Sequence, residues 1–260
     1  MSRKALIFFL IGGLLFLLGM AGLFIDRYYR EKNIPLPQPV SNDEVIVEVM
    51  EPEPIIVIEE SLETIPEEVE EEIYQIFEKD GATYIIVEDV EILLVNKVYA
   101  LPAEFGGVNS EAESALEAMF EAALEDDISL FLMSGYRSYE TQAAIYASYV
   151  SDWGQEYTDT VSARAGHSEH QTGLTFDLNS LSRSFTETKE YEWLQQNCAD
   201  FGFILRYPEG SEWATGFAFE PWHYRYIYDS TLAKKIMDSK LSLEEYSGLV
   251  TEEGHAEYLD

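Results

Sequence analysis

The chain has 260 residues, of which 47% are hydrophobic and 13% are aromatic. This is enough apolar surface to offset the conformational entropy lost on folding, which argues against a fibrous or wholly disordered chain. The formal net charge of -33 would repel a phosphate backbone, so nucleic acid is not expected as a partner. Cys198 is the single cysteine. An intramolecular disulfide and a thiolate-rich zinc cluster are therefore excluded, and a metal site must use His, Asp or Glu.

An uncharged segment of 21 residues runs from Ala5 to Ile25. As a helix it would span about 31 Å, enough to cross a hydrocarbon core of about 30 Å. Residues 1–26 are therefore predicted to form an uncleaved transmembrane anchor. A cleaved signal peptide is the main alternative, because Gly19-Met20-Ala21 offers small residues at the spacing that cleavage requires, and a buried core helix is another. Basic residues on both sides leave the orientation open, so an outward-facing domain is inferred from the chemistry below.

Residues 27–72 are predicted to form a Pro-containing acidic linker. Pro35, Pro37 and Pro39 favour an extended chain, and every charged residue between 43 and 72 is acidic. Such a segment repels itself and stays hydrated, although its short apolar runs leave room for brief strands. At the other end of the chain, residues 251–260 are predicted to form an acidic tail.

The segment 73–250 is predicted to form one α+β domain, because helical and strand patterns alternate in it with runs of each. The predicted elements are a hairpin of strands at 73–77 and 84–87 turning at Asp80-Gly81, strands at 92–95, 130–133 and 203–207, a helix opened by a capping box at 110–113, and helices at 141–150 and 189–200. The first of these helices carries apolar residues on one side, which indicates core burial: Ala112, Leu116, Met119, Phe120, Ala123 and Leu124.

Three of the four histidines lie in two short polar segments, 167–177 and 220–226. Gly173 permits a turn, after which Leu174 and Phe176 should face one side of a strand while Thr175 and Asp177 face the other. Such a turn would bring Asp177 back toward His170. Together with His223 they form an N,N,O ligand set suited to zinc, and the open fourth position indicates catalysis.

Glu220 precedes His223 by three residues and is interpreted as the general base, which takes a proton from water and passes it to the leaving amine. Arg137 is the additional cation, for a substrate carboxylate or for the charge of the tetrahedral intermediate. Spacing alone leaves structural roles open for each of these residues. Trp222, Tyr224 and Tyr226 are assigned to the core or the cleft wall rather than to ring-stacking recognition.

Three segments, in this order, resemble the motifs of VanY-type D-alanyl-D-alanine carboxypeptidases. They are Ser134-Gly135-Tyr136-Arg137-Ser138-Tyr139, the run from Ser168-Glu169-His170-Gln171-Thr172-Gly173 to Asp177, and Glu220-Pro221-Trp222-His223-Tyr224-Arg225-Tyr226. The flanking runs Val95-Asn96-Lys97, Leu101-Pro102 and Leu241 to Tyr246 are similar as well, so the resemblance covers about 92–246. It implies a zinc peptidase of the hedgehog/D,D-peptidase α+β fold. Thr175-Phe176 departs from the family pattern, in which a smaller residue and an aliphatic commonly precede the aspartate.

The resemblance also implies a role for each matching residue. His170, Asp177 and His223 correspond to the zinc ligands, Glu220 to the catalytic base, and Arg137 to the arginine that binds substrate and stabilises the transition state. Ser168 and Gln142 correspond to polar, substrate-binding positions near the cleft. His167 is expected to line the cleft without ligating the metal.

The resulting hypothesis is a membrane-anchored zinc D,D-carboxypeptidase whose extracytoplasmic, monomeric catalytic domain hydrolyses the C-terminal D-alanine of peptidoglycan stem peptides. One alternative is an L,D-carboxypeptidase that acts on tetrapeptide stems. A second is a non-catalytic muropeptide-binding module, and a third is a structural membrane protein in which the acidic linker is the functional part.

Overall fold

The computed structural model describes residues 74–250 and Tyr258. The predicted anchor and linker, and the predicted tail apart from Tyr258, lie outside the described residues. In the part of the chain that is described, no helix combines the length and the apolar character needed to cross a membrane.

The described chain begins with a three-stranded antiparallel sheet of β1 (Tyr74–Lys79), β2 (Ala82–Val87) and β3 (Val90–Leu93). The predicted hairpin is confirmed, because β1 and β2 pair on either side of Asp80-Gly81. Both turn residues have positive φ, at 53° and 75°, as the tight turns that match strand twist require. The predicted strand at 92–95 is present as β3, which starts and ends two residues earlier.

The remaining elements place helices around a second sheet. The helices are α1 (Ser110–Glu125), α2 (Tyr139–Trp153), α3 (Gln155–Val161), α4 (Lys189–Asn197), α5 (Glu212–Thr215), α6 (Ser230–Ser239) and α7 (Leu243–Tyr246). The strands are β4 (Leu132–Ser134), β5 (Thr175–Leu178), β6 (Phe203–Leu205) and β7 (His223–Tyr226), paired antiparallel in the order β4-β5-β7-β6. Short 3₁₀ helices span Glu169–Thr172, Arg183–Glu187 and Cys198–Phe201. The predicted α+β class is confirmed.

Helix α1 differs from its prediction at both ends. Its cap is Asn109, whose side-chain oxygen accepts hydrogen bonds from the backbone N–H groups of Glu111 and Ala112. The capping box predicted at Ser110 is wrong by one residue, because Asn caps helices as well as Ser does. Leu124 is 70% exposed, so its predicted burial is also wrong. It follows the buried Ala123 and is rotated about 100° away from the buried side.

The predicted helix at 189–200 ends earlier than expected. Helix α4 stops at Asn197, and the chain continues as the 3₁₀ turn Cys198–Phe201. Gly202 closes this turn at a φ of 80°, where a Cβ atom would lie 2.9 Å from the ring of Tyr226. The left-handed conformation and the close ring both require glycine here. Strand β6 follows directly and is two residues shorter than predicted.

The core lies between the second sheet and the helices. The larger apolar cluster joins the buried side of α1 to Leu174, Phe176, Phe203 and Tyr224. A smaller cluster joins β2 and β3 to α6. Tyr224 and Tyr226 are buried in the larger cluster and Trp222 packs partly buried against it, which agrees with their assignment to the core or the cleft wall.

Cys198 lies in this core and is fully buried. Burial raises the pKa of its thiol well above the ordinary value, so at neutral pH almost no thiolate is present. We expect a maleimide reagent to leave the native protein unmodified and to label it once in denaturant, as read by intact mass. Rapid labelling of the native protein would contradict the buried position of this thiol.

Candidate metal centre

The site is built around a turn that reverses the chain into β5. The 3₁₀ helix Glu169–Thr172 ends at Gly173, which has a φ of 70° and lies so close to the loop at Gly107 that a Cβ atom would approach its carbonyl oxygen to 2.0 Å. After this turn Leu174 and Phe176 enter the core, as the alternation predicted. Asp177 faces the opposite side, toward the 3₁₀ helix.

Strand pairing brings the second histidine to the same place. Asp177 on β5 is the register partner of His223 on β7, and directly opposed residues project to one face of a sheet. His170 is held from a third direction by the loop after β4. Its Nδ1 lies 2.8 Å from the carbonyl oxygen of Gly135, and its own carbonyl accepts a hydrogen bond from the Arg137 N–H.

The three predicted ligand residues meet in one buried cluster. One potential ligand atom from each of His170, Asp177 and His223 lies within 4.8 Å of the others. Nε2 of His170 is 3.2 Å from Asp177 Oδ2, and Nδ1 of His223 is 3.3 Å from Asp177 Oδ1. Bonds of about 2.1 Å at tetrahedral angles would put zinc ligand atoms about 3.4 Å apart, so both spacings suit such an ion.

Asp177 supplies an independent test of the fit. Its Oδ1 atom is buried and accepts no hydrogen bond, although buried carboxylate oxygens normally have a partner. It lies on the side of the cluster that faces His223. A cation bound by the three side chains would satisfy this oxygen, so the donor set fits zinc.

The electrostatics of the cluster favour a positive charge at its centre. Burial alone would raise the pKa of Asp177, but the imidazoles of His170 and His223 hold it well below its usual range. Burial alone would lower the pKa of His223, but the carboxylates of Asp177, Glu169 and Glu220 raise it well above the ordinary value. The surroundings therefore stabilise a cation at this point, whether a proton or a metal ion.

Glu220 lies at the edge of the cluster, where the predicted general base belongs. Its Oε2 atom is 3.3 Å from Nδ1 of His223, and its side chain is 16% exposed, compared with 7% or less for the three clustered residues. A backbone hydrogen bond to Tyr207 and one from His223 hold the turn that carries it. Glu220 thus contacts the cluster and is also partly exposed to solvent.

Arg137 borders the cluster on the side of β4. Its Nη2 is 3.8 Å from Asp177 Oδ2 and donates to the hydroxyl of Ser134, while Nη1 donates to Gln142 Oε1. The amide nitrogen of Gln142 donates to the carbonyl of Ala163 at 2.5 Å. Both ends of the buried amide are engaged, so Gln142 orients Arg137. Direct contact between Gln142 and a substrate stays a prediction.

Ser168 and His167 precede the 3₁₀ turn and differ in their surroundings. Ser168 is buried directly before Glu169, and its predicted contact with substrate is untested. His167 lies outside the three-residue cluster, with Nδ1 2.8 Å from the carbonyl of Asn96 and its ring edge-on to Tyr258. It is therefore not part of the three-residue cluster, and its expected place in the cleft wall stays a prediction.

Two further groups near the cluster, Glu169 and Tyr149, had no role predicted from the sequence. Beneath it, Glu169 contacts His223 and belongs to a buried ion-pair network with Arg206, Arg225 and Glu244. Beside it, Tyr149 of α2 is half-buried, and the charged groups of the site change the pKa of its phenol. Burial raises the pKa of its phenol, and so do Glu220 and Asp177, whereas Arg137 lowers it. Glu169 lies in the motif that begins at Ser168, but the pattern of residues around it does not distinguish it from an exposed glutamate.

Comparison with known proteins gives consistent matches. The family model for VanY, D-alanyl-D-alanine carboxypeptidase, matches residues 106–229. The carboxypeptidase homologue YodJ of Bacillus subtilis (strain 168) is 37% identical over 193 residues, which cover 64% of this chain and 70% of YodJ.

Solved structures agree with these matches. The LdcB LD-carboxypeptidase is 39% identical with a TM-score of 0.63, covering 71% of this chain and 98% of that one. The vancomycin resistance D,D-pentapeptidase VanY, in complex with Zn(II), is 34% identical with a TM-score of 0.52, covering 59% and 96%. These matches support the predicted α+β domain of the zinc D,D-peptidase type, and they include an L,D-carboxypeptidase as well.

Proposed function

This chain belongs to the family of VanY-type D-alanyl-D-alanine carboxypeptidases, and from that premise we propose that it is a zinc-dependent D,D-carboxypeptidase that hydrolyses the C-terminal D-alanine of peptidoglycan stem peptides. The observation that carries the proposal is the buried cluster of His170, Asp177 and His223, with Glu220 and Arg137 at its edge. A module that only bound muropeptides would not need a carboxylate beside such a cluster.

In the proposed mechanism His170, Asp177 and His223 hold the metal ion. When bound, zinc supplies Lewis acidity, which polarises the scissile carbonyl and acidifies water. Glu220 accepts a proton from the attacking water and delivers it to the amide nitrogen as the C–N bond breaks, so that free D-alanine leaves. Arg137, oriented by Gln142 and Ser134, either binds the C-terminal carboxylate or stabilises the negative charge on the tetrahedral intermediate.

A second candidate is an L,D-carboxypeptidase that removes D-alanine from tetrapeptide stems. It is favoured by the similarity to the LdcB LD-carboxypeptidase, which matches over nearly its whole chain at a higher identity than VanY does. The two activities use the same centre and differ in the residue that precedes the scissile bond.

We further propose that residues 1–26 anchor the protein in the cell membrane, with a monomeric catalytic domain outside the cytoplasm. The support is the uncharged run Ala5 to Ile25 and a proposed substrate that lies outside the membrane. Membrane fractionation of the full chain, followed by protease treatment of intact cells, tests this topology. Recovery in the soluble cytoplasmic fraction would contradict it.

Purified full-length protein is expected to release one D-alanine from a pentapeptide stem, and a chelator should abolish the release because the ligand set loses its ion. Mass spectrometry of pentapeptide and tetrapeptide digests measures the activity, and readdition of Zn²⁺ is the control for reversible loss. Cleavage of the tetrapeptide alone would favour the L,D candidate. Release of D-alanine that persists after complete metal removal would overturn the zinc mechanism.

A further inference from the structure

Glu169 lies beneath the metal centre, and its two carboxylate oxygens face different partners. The side chain is 1% exposed. Oε1 accepts hydrogen bonds from Arg206 Nε and Arg225 Nη1, both at 2.8 Å. Oε2 faces the hydroxyl of Thr175 at 3.3 Å and Nε2 of His223 at 3.5 Å. One oxygen is therefore held by cations while the other is presented to a predicted zinc ligand.

The two arginines are themselves fixed, so the carboxylate has little freedom to move. Arg206 donates two hydrogen bonds to Glu244, at 2.7 and 2.6 Å. Arg225 donates to the backbone carbonyls of Leu93 and Tyr226, at 2.7 and 3.0 Å. Both arginine side chains are fully buried. Bidentate and charge-assisted hydrogen bonds of this kind restrict geometry strongly.

The two imidazoles of the centre require opposite tautomers. His170 directs Nδ1 at the Gly135 carbonyl, which can only accept, so to bind a metal ion through Nε2 His170 must carry its proton on Nδ1. His223 directs Nδ1 at Asp177 and Glu220 and directs Nε2 at Glu169. To bind a metal ion through Nδ1, His223 must carry its proton on Nε2.

We propose that Glu169 is a positioning residue for the metal centre, whose Oε2 accepts the Nε2–H of His223 and thereby turns the Nδ1 lone pair toward the ion. This inference rests on the proposed zinc function. An anionic acceptor behind a ligating imidazole fixes ring orientation and increases its basicity, and loss of such a partner typically costs about 10- to 100-fold in metal affinity. The same four-residue turn thus carries one ligand, His170, and the support for another, His223.

A purely structural role is the competing explanation, because Glu169 also neutralises buried arginines. Glu244 separates the two explanations. It is equally buried and pairs with Arg206 in the same network, whereas its described contacts do not include His223. Replacing either glutamate removes one buried negative charge, but only Glu169 touches the metal centre.

The test compares Glu169→Asp, Glu169→Gln and the matched control Glu244→Gln in the full chain. Aspartate keeps the charge beside the arginines and withdraws it from His223, while glutamine keeps the shape and removes the charge. Zinc affinity is measured by competition with a chromophoric chelator, normalised to the folded fraction from circular dichroism. Both Glu169 variants should bind zinc about 10- to 100-fold more weakly, and Glu244→Gln should bind it as the wild type does. Wild-type affinity in both Glu169 variants, or an equal loss in Glu244→Gln, would overturn the proposal.

A second measurement uses only the wild-type protein, so it does not depend on whether a variant folds. In zinc-loaded wild-type protein labelled with ¹⁵N-histidine, long-range NMR correlations should show the His223 proton on Nε2 and the His170 proton on Nδ1. An Nε2 of His223 without a proton would overturn the proposal. If the wild-type protein hydrolyses stem peptides and the Glu169 variants keep the wild-type affinity for zinc, the role of Glu169 is wrong but the proposed function stands. Wild-type protein that binds no zinc defeats the proposed function as well.

Discussion

Replacing Glu220 with glutamine is expected to lower kcat for D-alanine release about 10²- to 10⁴-fold, the usual contribution of a positioned general base. Glutamine keeps the shape of the side chain but cannot accept the proton that water loses. The carboxylate lies 3.3 Å from His223 and outside the three-residue cluster, so zinc affinity should change little. Steady-state kinetics on the pentapeptide, together with chelator competition, measures both quantities.

Glu209→Gln is the matched control, because Glu209 is an exposed glutamate outside the cluster. Its kcat should equal that of the wild type. If Glu220→Gln kept full activity with bound zinc, Glu220 would have no part in proton transfer. If it lost zinc and activity together, Glu220 would be acting as a ligand, and the assignment of the base would be wrong.

The second large effect concerns stability. Replacing Arg206 with methionine should lower the free energy of unfolding by about 3–5 kcal/mol, because it leaves two carboxylates buried with fewer cationic partners. Arg206 is fully buried and pairs with both Glu169 and Glu244. Burial alone would raise the pKa of Glu169, but Arg206 and Arg225 hold it well below the usual range, so the carboxylate stays charged. Urea unfolding followed by circular dichroism measures the loss.

Lys79→Met provides the comparison for this prediction. Lys79 and Glu91 form an ion pair at 2.6 Å on the surface, with side chains 50% and 43% exposed. Water already solvates both charges, so no measurable change in stability is expected. Equal unfolding midpoints for Arg206→Met and the wild type would show that the buried network contributes nothing to stability.

Much of the candidate site could be predicted from the order of chemical groups in the chain. The period of two along 174–177 correctly separated Leu174 and Phe176, which enter the core, from Asp177, which faces the centre. Local signals identified the elements but not always their ends. At α1 both Asn109 and Ser110 are good caps, so the pattern could not choose between them.

The support beneath the site could not be predicted in the same way. Glutamate and arginine are rarely fully buried, so Glu169, Arg206, Arg225 and Glu244 were indistinguishable from exposed charges in the sequence. Their burial depends on ion-pair partners that lie 37, 38 and 56 residues apart along the chain. Such partners lie within hydrogen-bond distance because the fold brings together the 3₁₀ helix Glu169–Thr172, the end of β6, β7 and α7.

Residue types and their local order were thus sufficient to select the candidate ligands, the base and the cation, because each function needs a particular donor, acceptor or charge, and the resemblance to a known family then implied a role for each. The direction in which the lone pair of each candidate ligand points depends on the tertiary structure. The pairing of Asp177 with His223 across β5 and β7, and the carboxylate of Glu169 held behind His223, join atoms from distant segments. Hydrogen-bond geometry between such segments is a property of their packing, and no local pattern encodes it.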